Sequence, residues 1–213
     1  MIASRLALGT LVVLALFATG ASGGMISESA DALPLWQGRV NIDGSFGTLN
    51  VNADVDYAVF APGDSFQNFL NDYNINYTDP SGGTEYIYAY QIDENNGSNP
   101  GVVSFTVGLD GDEPVSGPYA IPGTGDQSPS AMDFPGTSAK WDFGGLLTTG
   151  MTSEILLYSS PWGPERDWGT ISAGIASGLS NEIPSPVPEP GTTVLLGLAV
   201  AVLSLFAKRR RIC

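Results

Sequence analysis

Between residues 25 and 183 the chain is written in short apolar or alternating runs, each closed by Gly, Pro, Asn or Asp. That is the punctuation of antiparallel strands joined by turns. The runs predict strands at Leu35–Ile42, Phe46–Val51, Asp56–Ala61, Thr84–Asp93, Gly101–Leu109, Ser138–Phe143, Ser153–Ser159 and Gly169–Ala176. Tyr86, Tyr88 and Tyr90 alternate with Ile87 and Ala89, so this strand has a tyrosine face and an aliphatic face. Val55, Tyr57 and Val59 similarly oppose Asp54, Asp56 and Ala58. One stretch has helical spacing: Ser65–Asn71 puts Phe66, Phe69 and Leu70 on one side, with Asp64 placed to cap it. Asp110–Pro135, rich in Gly, Pro and Ser, reads as a long surface excursion. The fold class predicted is all-β, an antiparallel β-sandwich over residues 24–183, with a closed barrel as the alternative. No repeat at a fixed period is visible.

The pattern changes at both ends. Residues 1–23 have the layout of a secretory signal peptide: Arg5 beside the amine, an apolar core at Leu6–Ala18, then small residues from Thr19 to Gly24. An N-terminal membrane anchor is the competing reading. At the other end Pro184, Pro186, Pro188 and Pro190 occupy every second position. Each ring fixes its own φ and biases the preceding residue to extended backbone, which predicts a stiff stalk at 184–191. Residues 192–207 carry no charge. As a helix rising ~1.5 Å per residue they would cover about 24 Å, a little short of a ~30 Å hydrocarbon core. Lys208, Arg209, Arg210 and Arg211 can extend that reach by snorkelling, so 192–207 is predicted to be a single transmembrane helix and 208–213 a basic cytoplasmic tail. A buried core helix fits poorly, because four adjacent cations at its end need water.

Charge sharpens the division. Residues 24–190 hold three basic residues, Arg39, Lys140 and Arg166, against all 22 Asp and Glu, a net of −19. Such a body repels phosphate backbones, so nucleic acid is not an expected partner. The chain has no His, which excludes Ser-His-Asp and Cys-His catalysis and His-bearing zinc sites. The only Cys is Cys213, so the body has neither a disulfide nor a thiol nucleophile.

Val187-Pro188-Glu189-Pro190, a short apolar span and Lys208-Arg209-Arg210-Arg211, in that order, resemble the C-terminal sorting signal of PEP-CTERM proteins. The resemblance implies a bacterial, exported cell-envelope protein from a maker of extracellular polysaccharide. It also implies a membrane-embedded exosortase that recognises Pro188, Glu189 and Pro190 and processes the chain. The stretches "VDYAVFAPG", "YIYAYQID" and "SEILLYSSPWGPE" are more loosely similar to ectodomains found ahead of such tails.

Candidate chemistry in the body is sparse. Asp110-Gly111-Asp112-Glu113 and Asp93-Glu94-Asn95-Asn96-Gly97 are the densest acidic clusters, and oxygen-rich loops of this kind suit calcium. Neither completes a twelve-residue calcium loop, and solvated turns are the simpler reading, so no cofactor is expected. Trp36, Trp141, Trp162 and Trp168 are candidate sugar-stacking platforms, with Arg166 and Asp167 between the last two placed to bond hydroxyls. Core packing is the commoner use of such rings. Asn76-Tyr77-Thr78 and Asn96-Gly97-Ser98 match glycosylation acceptors and decide nothing. With 22 acids some carboxylates will lie close together, yet no motif selects a catalytic pair. The expectation is a non-enzymatic protein, structural or adhesive in a surface layer or exopolysaccharide matrix. A polysaccharide-binding module, perhaps helped by calcium, and a carboxylate-dependent hydrolase are the alternatives.

Overall fold

The computed structural model describes residues 25–94, 96–109 and 114–187. In chain order these form β1 (Gln37–Phe46), β2 (Leu49–Phe60), α1 (Ser65–Asp72), β3 (Tyr86–Glu94), β4 (Val102–Gly108), β5 (Ser116–Ile121), β6 (Ala131–Asp133), β7 (Ser138–Leu147), β8 (Met151–Thr152), β9 (Ile155–Ser160), β10 (Pro164–Ala173) and β11 (Ala176–Pro186). Every pairing between strands is antiparallel. One sheet runs β1-β2-β3-β9-β5, with β8 beside β3; the other runs β11-β10-β4-β7-β6. Among the described residues no helix is long and apolar enough to cross a membrane. The leader at 1–23, the span at 192–207 and the basic tail at 208–213 lie outside the described residues.

The two sheets face each other across one core. Ile42, Val55, Tyr88, Tyr90, Leu156 and Tyr158 from the first sheet pack with Phe105, Val107, Trp141, Phe143, Ile171 and Ile183 from the second. Its centre is aromatic: Tyr90 lies 5.5 Å from Phe105 and 6.2 Å from Trp141, centroid to centroid, and Tyr88 stacks on Tyr158 at 5.0 Å. Buried tyrosines need partners for their hydroxyls. Tyr88 donates to the Trp162 carbonyl at 2.8 Å, and Tyr90 donates to the Pro184 carbonyl.

The aliphatic face of β3 is buried too. Ile87 and Ala89 join Ala58, Phe60, Ile155 and Leu157 on the outer side of the first sheet, covered by Phe66, Phe69 and Leu70 of α1 and by Ile26 and Ala32. Burying each large side chain contributes roughly 1.5–3 kcal/mol, which explains why an eight-residue helix persists there. Asp64 occupies the cap position, but its side chain makes no capping bond.

Several expected boundaries shift. Phe46–Val51 is not a strand of its own; it spans the β1–β2 turn, and β2 runs unbroken for 12 residues. The excursion expected at Asp110–Pro135 contains β5 and β6, an edge strand of each sheet. The stalk expected from Pro184 starts later: Pro184, Ser185 and Pro186 are buried in β11, opposite Arg166, Glu165 and Pro164 of β10. Pro is tolerated there because β11 is an edge strand, where a missing N–H leaves no ladder bond unmade.

On one flank the edges of the two sheets pinch together without side chains. A Cβ on Gly44 of β1 would overlap the Ser177 carbonyl oxygen of β11, and one on Gly178 would lie 2.7 Å from the Asp43 carbonyl oxygen. Only glycine permits so close an approach of two backbones.

Candidate functional site

The chain leaves the folded body at one pole of the sheets. β9 ends at Ser160, residues 161–163 turn into β10, and β11 returns to finish beside them. Among the described residues the last backbone tie is from the Val187 N–H to the Gly163 carbonyl, 3.2 Å. Pro188, Glu189 and Pro190, like Lys208, Arg209, Arg210 and Arg211, lie outside the described residues. The sorting candidate therefore begins one residue after the last backbone hydrogen bond found among the described residues.

The same pole gathers apolar and aromatic groups. Leu35 is 81% exposed, Pro161 is exposed, and Trp36, Trp162 and Val187 are half-buried. Arg166 of β10 lies 5.7 Å from the ring centres of both Trp36 and Tyr57, donates to the Tyr57 hydroxyl at 3.1 Å and pairs with Glu182 at 3.2 Å. Asp167 accepts from the Trp168 amide at 2.7 Å. Arg166 and Asp167 thus have protein partners already.

The four tryptophans separate. Trp141 is wholly buried in the core and cannot meet a ligand. Trp36 and Trp162 sit at the exit pole. Trp168 lies against the outer face of the second sheet, where a Cβ on Gly108 would collide with its indole. Around it that face presents Thr106, Thr170, Lys140 and Asp142, the last two paired at 2.7 Å, and exposed Leu179.

A second cluster, not foreseen, occupies the outer face of the first sheet beyond the helix. Arg39 of β1 binds Asp56 through two hydrogen bonds of 2.8 Å, Asp93 at 3.2 Å and Asp54 at 3.6 Å. The bidentate bond to Asp56 pushes the guanidinium pKa above its ordinary value. Asp93 moves the other way for a salt-bridged acid: burial raises its pKa, Arg39 lowers it, and Asp56 and Asp54 raise it again. Its neighbour Glu94 points to the opposite face of β3, accepting from the Gly97 amide at 2.7 Å, the Ser98 amide at 3.0 Å and the Ser98 hydroxyl. Asp93 and Glu94, the acids of one calcium candidate, thus point to opposite faces of the strand, and Asn95, between them and Asn96, lies outside the described residues. The other calcium candidate, Asp110–Glu113, lies outside the described residues.

A pocket of about 190 Å³ opens between the start of α1 and the turn at 78–83, lined by Gly63, Asp64, Gln67, Asp79 and Gly83. Asp79 is engaged by the Ser81 amide and hydroxyl and by the Gly83 amide, so the pocket is built around a turn.

The body is thus an antiparallel two-sheet β domain whose last strand hands the chain directly to a C-terminal address. That address is identified: residues 186–211 match the family model of the PEP-CTERM protein-sorting motif. The motif marks an exported, cell-envelope-associated protein sorted by exosortase. No curated protein and no solved structure matches the chain.

Proposed function

We propose that this protein is a non-enzymatic, structural or adhesive component of a bacterial surface layer or exopolysaccharide matrix. On this reading residues 1–23 export it, 192–207 hold it in the membrane, and exosortase acts at Pro188, Glu189 and Pro190. The observation that carries the reading is the sorting motif at 186–211, joined without a spacer to a folded, strongly acidic body. The three carboxylates gathered around Arg39, those of Asp54, Asp56 and Asp93, are tied to that guanidinium, which supports a non-catalytic body. Replacing Glu189 by Ala, or deleting Lys208–Arg211, should leave unprocessed precursor in the membrane fraction, read by intact mass. Unchanged maturation in both variants refutes the sorting route.

A second reading is favoured by one observation, the indole of Trp168 laid on an outer sheet face between threonines. Such a surface suits stacking on a sugar ring of a neutral polysaccharide. Trp168→Ala should abolish glycan-array binding by residues 25–187, whereas Trp162→Ala should not. An array blank for the unaltered body removes this reading.

A further inference from the structure

The pole where the chain leaves the fold carries a surface of its own. Val187 is still hydrogen-bonded to the body, and only residues 188–191 separate it from the uncharged run that starts at Thr192. Fully extended, the five steps from Val187 to Thr192 span at most about 18 Å. The headgroup layer takes up roughly 7 Å of that on each side of a bilayer. Little tether remains to lift the body away.

What lies at this pole is suited to that layer. Leu35 is 81% exposed, and Trp36 follows it, fixed by the bond from the Val59 amide to the Trp36 carbonyl at 2.9 Å. Across the exit, exposed Pro161 and half-buried Trp162 precede Gly163, whose carbonyl binds Val187. Arg166 joins the two sides, over the Trp36 ring and two residues from Pro164, the partner of Pro186. Indole rings favour the headgroup level of a bilayer, where one edge is apolar and the other wet. The nearby charges are mostly negative: Glu85, Glu165 and Glu182 flank the patch, with Arg166 engaged by Glu182.

We infer that the pole bearing Leu35, Trp36, Pro161 and Trp162 rests on a zwitterionic lipid surface while the C-terminal segment is still attached. The inference rests on the proposed insertion of 192–207, and it adds a contact made by the folded body itself. Acidic neighbours make anionic lipid the poorer partner.

The test uses the full chain reconstituted into phosphatidylcholine vesicles with brominated or unbrominated acyl chains. Flotation reports whether the tail inserts; quenching of tryptophan fluorescence by bromine reports whether the pole touches. Trp141 is core-buried and Trp168 lies on the second sheet's outer face, so quenching should come from Trp36 and Trp162. The expected result is quenching by brominated lipid that is lost in the Trp36→Phe/Trp162→Phe variant and weakened by Leu35→Asp, an exposed position that does not threaten folding. Admixed phosphatidylglycerol should also weaken it. Vesicles that float with the protein but leave its fluorescence unquenched, or equally quenched in the double variant, overturn the inference alone. A chain that does not float removes the insertion reading and this contact with it.

Discussion

Asp93 shows how far a single residue's behaviour depends on strand register. It faces Asp54 across β2 and β3, while Arg39 faces Asp56 across β1 and β2, so three carboxylates share one guanidinium. Asp56, almost fully buried, takes the bidentate position and leaves Asp93 the longer bond. With its folded pKa raised, charging Asp93 costs more in the folded chain than in the unfolded one. That penalty is present above the folded pKa and disappears as the pH falls through the carboxylate range. Asp93→Asn should therefore raise the melting temperature at pH 7, by the equivalent of about 1 kcal/mol or less. The gain should shrink toward pH 3; an effect independent of pH would contradict this account. The alternation of Asp54 and Asp56 with Val55 and Tyr57 was legible in the sequence as two faces. Which acid meets Arg39 was not, because that is set by pairing across 17 and 54 residues of chain.

At the scale of elements, legibility followed position in the sheet. Central strands β3, β4 and β9 bury both or one full face, and their apolar periodicity marks them plainly. Of the strands that escaped notice, β5, β6 and β11 are sheet edges, and β8 is a two-residue pairing beside β3. An edge strand needs only one ladder, so it can carry Pro118, Pro184 and Pro186 and look like a loop. The Asn and Asp residues that suggested a break inside β2 instead bond sideways: Asn41 donates to both Asn52 and Asp54 at 2.9 Å. β11 also contributes its last residues to the core. A body ending at Ile183 loses the Pro184 carbonyl that Tyr90 uses and the burial of Pro184 to Pro186. It should be less stable to urea than one ending at Val187 by roughly 2 kcal/mol or more. Equal midpoints would mean that β11's last turn of chain contributes nothing.

For the molecule as a whole, the sorting tail could be read from sequence because its three parts lie consecutively, Pro188-Glu189-Pro190, an uncharged run and Lys208 to Arg211. The exit pole could not, since Leu35, Trp162 and Val187 are brought together only by the meeting of two sheets. The pinch at Gly44 and Gly178 has a similar origin and a different consequence. There main chain closes on main chain at Gly44 and Ser177, and the Ile42 side chain lies directly beside Gly178. A single methyl group at either place would wedge that flank ajar and give water a route toward Ile42. The molecule's tolerance for change is thus smallest where its sequence looks blandest.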